Sequence, residues 1–323
     1  MLRSFLLHLS QAAWANRLLS GWGVSRRAAA RFVPGETVAD ALRAVRVLNE
    51  RGIDATLDQL GEHSASAAEA GRAADGVLAV LDEIQRAGVR ANVSIKLTQI
   101  GLGLAENADA TCRANLIRIL ERARVHGNFV RTDMEDSPYT DRTLALFDEM
   151  LSLGFGVETV GLVMQAYLYR TETDVRALLG KSVRLRLVKG AYHEPSTLAF
   201  LQKSDVDTNY DRLTALLIDA ALSRPASAGR EGRIPALAAI ATHDERRIAF
   251  ARAYADKVGL PKNAVEFQML YGIRRDLQEA LARSGYPVRV YVPFGTRWVP
   301  YFMRRLAERP ANLWFFVLNL FRG

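Results

Sequence analysis

Two adjacent arginines near the end of the chain, Arg304 and Arg305, have the clearest potential for binding chemistry. Tyr301 precedes Arg304 by three residues, and Glu308 follows it by four. At roughly 100° per residue, a helix brings these four side chains onto one face. The planar donor fork of arginine suits a carboxylate or a phosphate, and a nearby glutamate can hold it in place. The segment predicts an anion site or, as the alternative, a solvated helix face with an ordinary Arg–Glu pair.

Further polar side chains fall where short apolar runs of the sequence end. In chain order they are Glu62, Lys96, Asp133, Gln165, Arg186, Lys189, Thr242, His243, Asp244, Gln268 and Tyr291. Each alone is typical of a capping or loop residue. Together they predict a binding site, provided that the fold brings the ends of these runs to one place.

The order of elements predicts such a fold. The apolar runs are predicted strands at 53–58, 92–97, 129–134, 157–165, 183–188, 236–241, 265–270 and 288–293. Helix-like segments, several followed by glycine, lie between them. Alternating strands and helices require a parallel sheet, and eight repeats predict a closed (β/α)₈ TIM-like barrel of the α/β class. An open, doubly wound sheet is the alternative. In a barrel, all eight strand ends meet at the mouth where active sites lie.

Composition favours one large domain. The chain has 323 residues, 49% of them hydrophobic, so we expect one domain over 1–323, with extra N-terminal helices in 1–50 and a barrel core at 51–315. The single cysteine, Cys112, excludes a disulfide framework and suits a reducing cytoplasm. The net charge of +8 is compatible with nucleic acid, with an anionic membrane surface, or with an arginine-rich proteome.

Both ends of the chain are predicted to form amphipathic helices. Residues 1–23 and 311–323 are apolar and aromatic, but neither stretch reaches the ~20 apolar residues that span a bilayer. A polar break at Ser10 and Gln11 argues against a signal peptide. We expect these helices to pack on the domain or to contact a membrane surface from the cytoplasmic side.

Several common chemistries lack their motifs. No GxSxG or HExxH occurs, and the histidines do not cluster with carboxylates, so we expect no metal site. The segment GLGLAE lacks the full dinucleotide fingerprint. Lys189, close to the end of a barrel strand, leaves a Schiff-base aldolase open as an alternative. A nucleic-acid binder is disfavoured because the basic residues form no stripe interleaved with aromatic residues.

Nine sequence elements resemble the proline dehydrogenase family in order and spacing. They are LDQLGEH, VSIKLTQIG, VRTDMED, VMQAY, RLVKGAY, ATHD, EFQMLYG, VYVPFG and YFMRRLAERPAN, and they cover roughly residues 50–315. The resemblance implies a distorted (β/α)₈ barrel that binds FAD noncovalently. It also implies oxidation of L-proline to 1-pyrroline-5-carboxylate by hydride transfer, with electrons passed to a membrane quinone. The chain looks monofunctional.

The resemblance also assigns roles to residues. It implies that Arg304, Arg305 and Lys96 bind the proline carboxylate and that Tyr192, Leu270, Tyr291 and Tyr301 surround the ring. Asp133 resembles the family's active-site aspartate, and Arg186 is expected beside the reactive edge of the flavin. Glu62 is expected to pair with an arginine as a gate, and Glu308 to orient one. The remaining FAD contacts implied are Met134, Gln165, Lys189, Gly190, Ala191, Thr242 and His243.

Overall fold

Eight strands close into a parallel barrel in the computed structural model, which describes residues 29–224, 229 and 231–308, with 306–308 described only as helix. Each strand pairs with its neighbours in chain order, and β8 pairs with β1. The strands are β1 Asp54–Gln59, β2 Ala91–Lys96, β3 Val130–Asp133, β4 Val160–Gln165, β5 Leu185–Val188, β6 Ala238–Ala241, β7 Val265–Leu270 and β8 Val288–Phe294. The predicted (β/α)₈ barrel is confirmed, and the open sheet is excluded.

Helices surround the barrel; seven of those described connect successive strands, one precedes β1 and one follows β8. They are α1 Val38–Glu50, α2 Ala67–Ala87, α3 Ala108–Val125, α4 Ser137–Ser152, α5 Thr171–Gly180, α6 Lys203–Ser223, α7 Glu245–Val258, α8 Arg275–Arg283 and α9 Trp298–Glu308. A short 3₁₀ turn, Lys262–Ala264, precedes β7. The helix predicted to follow the last strand begins at Trp298, as expected. In the described part, α1 is the one full helix before the barrel.

The second helix shows why these segments become helical. The side chain of Ser66 accepts a hydrogen bond from the backbone N–H of Glu69 and so caps the first turn of α2. Ala70, Ala74 and Leu81 recur at helical spacing and are buried against the barrel. Gly88 ends the helix with a φ of 61°, a left-handed conformation that glycine adopts at little cost.

Several predicted strands begin later than their apolar runs, as β4 and β5 illustrate. The run at 157–165 becomes a strand only from Val160, because a turn in which the Thr159 N–H donates to the Gly156 carbonyl precedes it (2.8 Å). The run at 183–188 becomes β5 from Leu185. The C-terminal ends of both strands lie where the sequence predicts them, and those ends position the candidate site.

The interior of the barrel is polar, although apolar side chains usually fill such barrels. Arg131 and Arg289 are each 1% exposed, and Arg289 Nε lies 2.8 Å from Glu266 Oε1. A side chain on Gly161 would meet the Arg184 carbonyl oxygen at 2.4 Å. This glycine leaves room for Arg131, whose Nη1 donates to the Leu162 carbonyl at 3.0 Å. Ion pairs and hydrogen bonds therefore form the floor beneath the mouth.

A second hydrophobic cluster fastens α9 over the side of the mouth. Trp298, Tyr301 and Phe302 pack there with Phe32 and with Leu60, which directly follows β1. The rings of Trp298 and Phe302 meet edge to face at 6.0 Å. Burial of the apolar side of α9 fixes the direction in which its arginines extend.

The helices predicted within 1–23 and 311–323 lie outside the described residues. In the part of the chain that the structure describes, no helix combines the length and apolar composition needed to cross a bilayer.

Candidate active site

Asp133, at the end of β3, is the centre of a hydrogen-bond network in the mouth. Its Oδ1 accepts from Ser94 Oγ at 2.7 Å and from Arg186 Nη1 at 2.9 Å, and its Oδ2 accepts from the Tyr291 hydroxyl at 2.8 Å. Lys96 Nζ lies 3.8 Å from Asp133 Oδ2. Burial, together with the negative charge of Asp133, raises the pKa of Tyr291. The neutral phenol donates its proton to Asp133, so the carboxylate is held from three sides.

Lys96 extends into the mouth between two carboxylates. Its Nζ lies 3.5 Å from Asp58 Oδ2. Burial disfavours the charged ammonium, but the negative charges of Asp58, Asp133 and Glu62 outweigh burial and raise the pKa of Lys96. Lys96 is therefore a fixed cation at neutral pH.

Asp58 is a site residue that the sequence analysis missed. It is 1% exposed, and burial raises its pKa despite the attraction of Lys96. It lies two residues after Thr56, whose hydroxyl donates to Asn92 Oδ1 on the neighbouring strand β2 at 2.6 Å. Because side chains alternate along a strand, Asp58 lies on the same face of β1 as Thr56, and its contact with Lys96 shows that this face points into the barrel. The sequence does carry a signal for Asp58: it lies two positions after another polar residue, Thr56, within the predicted strand 53–58, so both share one face of that strand.

Arg186 is held by a chain of side chains that begins in the barrel floor. Its Nε donates to Gln268 Oε1 at 2.5 Å, and Gln268 Nε2 donates to Glu266 Oε1 at 2.5 Å. The positive charge of Arg289 lowers the pKa of Glu266 against the effect of burial, so Glu266 is an ionised acceptor. An acceptor there orients the amide of Gln268 with its NH₂ group inward. Its oxygen therefore faces Arg186, which also lies 5.3 Å from the centre of the Tyr291 ring.

Arg304 reaches from α9 to the loop after β1 and pairs with Glu62. Arg304 Nη2 lies 2.7 Å from Glu62 Oε1, and Nη1 lies 3.3 Å from Oε2. Burial raises the pKa of Glu62, but Arg304 and Lys96 outweigh it, and the net shift is downward. The two residues lie 242 positions apart, so no local pattern could join them. The side chain of Glu308 is outside the described residues, and its orienting role stays a prediction.

Aromatic and apolar side chains lie beside these charges. Tyr192 is close enough to Lys96 and Arg304 to influence the pKa values of both. Leu270 packs against the hydrophobic cluster that contains Tyr301. Arg305 lies over the Tyr301 ring, with its central carbon 5.2 Å from the ring centre. The predicted substrate residues therefore meet at one side of the mouth, on β2, β7, β8, α9 and the loop after β5.

The ends of β4 and β6 form a second sector, rich in hydrogen-bond donors. Gln165 is 3% exposed, and its Nε2 donates to the Glu135 carbonyl at 2.8 Å. Thr242 Oγ1 accepts from the Asp244 N–H at 3.1 Å, which leaves its hydroxyl proton as a donor. His243 Nε2 accepts from the Leu270 N–H at 2.9 Å, so the neutral ring carries its proton on Nδ1.

The segment after β5 is tied to its surroundings at two predicted cofactor residues, Lys189 and Gly190. Lys189 Nζ binds Asp207 of α6 and lies 2.8 Å from Asp244 Oδ2 at the start of α7. Gly190 has a φ of +112°, and a side chain there would lie 2.3 Å from the Tyr167 ring. Glycine is required at this position by both conformation and space. Ala191 follows on the surface of the same loop. Met134, after β3, packs in the main core.

These residues fit FAD, the cofactor that the resemblance implies. A flavin ring and its diphosphate present acceptors and negative charge, which require donors and cations. Arg186, Thr242 and His243 supply donors on one sector of the mouth, and Lys189 supplies a cation at its rim. The donor chemistry of this sector therefore suits the group.

Two other buried carboxylates went unnoticed in the sequence. Burial raises the pKa of Glu135, which accepts hydrogen bonds from the backbone and hydroxyl of Thr98. Glu194 accepts from Ser137 at the start of α4. Both residues lie in loops beyond the ends of β3 and β5, where sequence spacing does not predict the direction of a side chain.

The described residues show no group of three or more His, Cys, Asp or Glu side chains arranged to hold a metal ion. Cys112 is buried in the core, and burial raises the pKa of its thiol. It packs as a small apolar residue.

Comparison with known proteins agrees with this geometry. The family model for proline dehydrogenase matches residues 41–316. A proline dehydrogenase of Deinococcus radiodurans is 42% identical over 91% of this chain and 90% of its own length. Proline dehydrogenase 1 of Bacillus subtilis is 38% identical over the whole of both chains. The crystal structure of proline utilization A from Bdellovibrio bacteriovorus, inactivated by N-propargylglycine, matches with a TM-score of 0.79 and 25% identity. That match covers 88% of this chain but only 33% of the larger protein. The chain belongs to the proline dehydrogenase family.

Proposed function

We propose that this protein oxidises L-proline to 1-pyrroline-5-carboxylate, the first step of proline catabolism, with noncovalently bound FAD and a quinone as electron acceptors. Membership of the family supports proline as the substrate. The donor-rich sector of the mouth supports the flavin.

One observation carries the proposal for substrate binding. The Glu62 carboxylate lies 2.7 Å from Arg304 and is stabilised by both Arg304 and Lys96. It marks a position where the site already stabilises a carboxylate. We expect the carboxylate of proline to use the same two cations together with Arg305, and Glu62 to act as a gate that the substrate displaces.

The remaining residues orient the substrate. Tyr192, Tyr291, Tyr301 and Leu270 enclose a small ring, which has little freedom once its carboxylate is bound. Asp133 holds Lys96 and Arg186 in place, and Arg186 puts a fixed positive charge at the sector assigned to the flavin. FAD, when bound, supplies the two-electron acceptor. The protein contributes mainly orientation and electrostatic support, which account for a large share of many enzymes' rate.

The alternative, a Schiff-base aldolase using Lys189, has less support. The ammonium of Lys189 binds Asp207 and Asp244 among the helix N-termini. Borohydride with a carbonyl substrate would trap such an enzyme covalently at Lys189. We expect no trapped adduct.

The proposed function is tested with the purified protein in air and with a soluble quinone. We expect a yellow protein that reduces the quinone only when L-proline is present. A colourless protein that takes up no FAD, or quinone reduction that is independent of proline, would refute the proposal.

A further inference from the structure

A buried glutamate outside the predicted site lies in the loop between β5 and α6. Glu194 is only 7% exposed. Its Oε1 accepts from the backbone N–H of Ser137 at 2.7 Å, and its Oε2 accepts from the Ser137 hydroxyl at 2.5 Å. A carboxylate buried to this extent requires such partners, since an unpaired one is costly to remove from water.

Glu194 takes the place of a local cap on α4. The N-cap residue of that helix, Asp136, makes no side-chain capping bond. The first N–H groups of a helix lack partners within the helix and carry partial positive charge. A carboxylate from a loop 57 positions away meets this need. The contact therefore couples the start of α4, just after Asp133, to the loop after β5.

The loop after β4 joins the same point. The Tyr167 hydroxyl lies 3.5 Å from Glu194 Oε1, and the Tyr167 backbone N–H donates to the Lys189 carbonyl at 2.9 Å. The ring of Tyr167 fills the space beside Gly190, where a side chain would lie 2.3 Å away. One carboxylate thus ties together the segments that follow β3, β4 and β5.

We propose that Glu194 is a positioning residue that holds Tyr192, two residues before it, against the substrate side of the mouth. This inference rests on the proposed function, in which Tyr192 contacts the proline ring. Tyr192 is 37% exposed, so its own packing does not fix it. Glu194 and the Tyr167–Gly190 contact anchor the loop on both sides of it. A displacement of about 1 Å in such a residue can cost a large factor in catalytic efficiency.

The test compares Glu194→Ala with Glu194→Gln in the full chain loaded with FAD. We expect Glu194→Ala to raise KM for L-proline about 10-fold while kcat changes less than about 2-fold. Glu194→Gln should restore most of the loss, because its amide oxygen still accepts from the Ser137 N–H. If Glu194→Ala does not fold, Ser137→Ala weakens the same contact from the other side and should raise KM in the same direction.

A double-mutant cycle separates positioning from general destabilisation. In a Tyr192→Ala background, Glu194→Ala should change KM by less than about 2-fold, because the residue that it positions is already gone. Asp82→Asn is the matched control: Asp82 binds Arg122 and His126 (2.7 Å to the latter) at the opposite end of the barrel. It should leave KM unchanged even if the melting temperature falls.

The outcomes also distinguish this inference from the proposed function. A wild-type protein that does not oxidise proline refutes the proposed function. An active wild type whose Glu194→Ala variant keeps the wild-type KM, or shows the same 10-fold loss in the Tyr192→Ala background, overturns the inference alone.

Discussion

The residues of the mouth fall into two groups that differ in how far the sequence reveals them. Arg304 and Arg305 stand out through helical spacing, and Lys96, Asp133 and Arg186 through their places at strand ends. Asp58 was not recognised, because its inward direction depends on which face of β1 meets the interior. The pairing of Glu62 with Arg304 follows only from the family resemblance. Residue spacing predicts which side chains share one face of a single element, whereas contacts between distant elements become known only from the fold.

Arg304→Met and Arg305→Met should each raise KM for L-proline by at least about 30-fold. Removing one charge from a group that binds a buried carboxylate commonly costs about 2 kcal/mol or more. Steady-state kinetics at saturating quinone measures the effect. Arg297→Met is the control, since Arg297 is exposed and pairs with Glu69 in the first turn of α2. An unchanged KM in both test variants would disprove the carboxylate clamp.

Glu62→Gln should lower KM by about 2- to 5-fold, because the gate carboxylate competes with substrate for Arg304 through a partly exposed ion pair. Arg304 and Lys96 lower the pKa of Glu62 below its ordinary value of 4.5. Above pH 4.5, Glu62 is therefore ionised and its ion pair with Arg304 is fully formed. The ion pair is lost only as the pH falls through the lowered pKa of Glu62. The difference between variant and wild type should therefore be constant between about pH 5 and 8. A difference that fades as pH falls from 8 to 6 would contradict this assignment.

At the scale of elements, strand ends were predicted better than strand beginnings. The run at 157–165 begins with residues of a turn, and the run at 183–188 begins with two residues that precede the strand. Apolar character alone therefore does not show where a buried strand begins. The polar floor was not predicted either. Arg131, Arg289 and Glu266 alternate with apolar residues, a pattern that also suits a strand with one face in water.

Gly161→Ala should destabilise β4 by about 1–3 kcal/mol. The added methyl group would lie 2.4 Å from the Arg184 carbonyl and 2.9 Å from Arg131 Nη1, so the backbone or a buried arginine must move. Urea unfolding followed by circular dichroism gives the free energy of unfolding.

Gly71→Ala is the matched control for that change. Gly71 lies within α2, and a methyl group there would meet no atom within 4 Å beyond its chain neighbours and the backbone of its own helix. We expect a gain of about 0.5–1 kcal/mol, because alanine favours the helix. A Gly161→Ala protein as stable as wild type would show that the floor is not tightly packed around Arg131.

At the scale of the whole molecule, the barrel explains why residues scattered from 58 to 305 form one site. Eight strands bring their C-terminal ends to one mouth, and α9 then folds back over its side. The order and number of elements made this architecture predictable. The division of the mouth into a side with the predicted carboxylate-binding residues and a donor-rich side followed only from the family resemblance, because it depends on which strands become neighbours of α9.

The central claim is that cations in the mouth hold the carboxylate of proline so that its ring is oxidised by bound flavin. An anaerobic titration of the purified protein with L-proline, followed by flavin absorbance, tests it most directly. L-prolinol, which has the same ring but an alcohol in place of the carboxylate, is the comparison. We predict that L-proline bleaches the flavin and that L-prolinol at the same concentration does not. Equal bleaching by both compounds, or none by proline, would contradict the account.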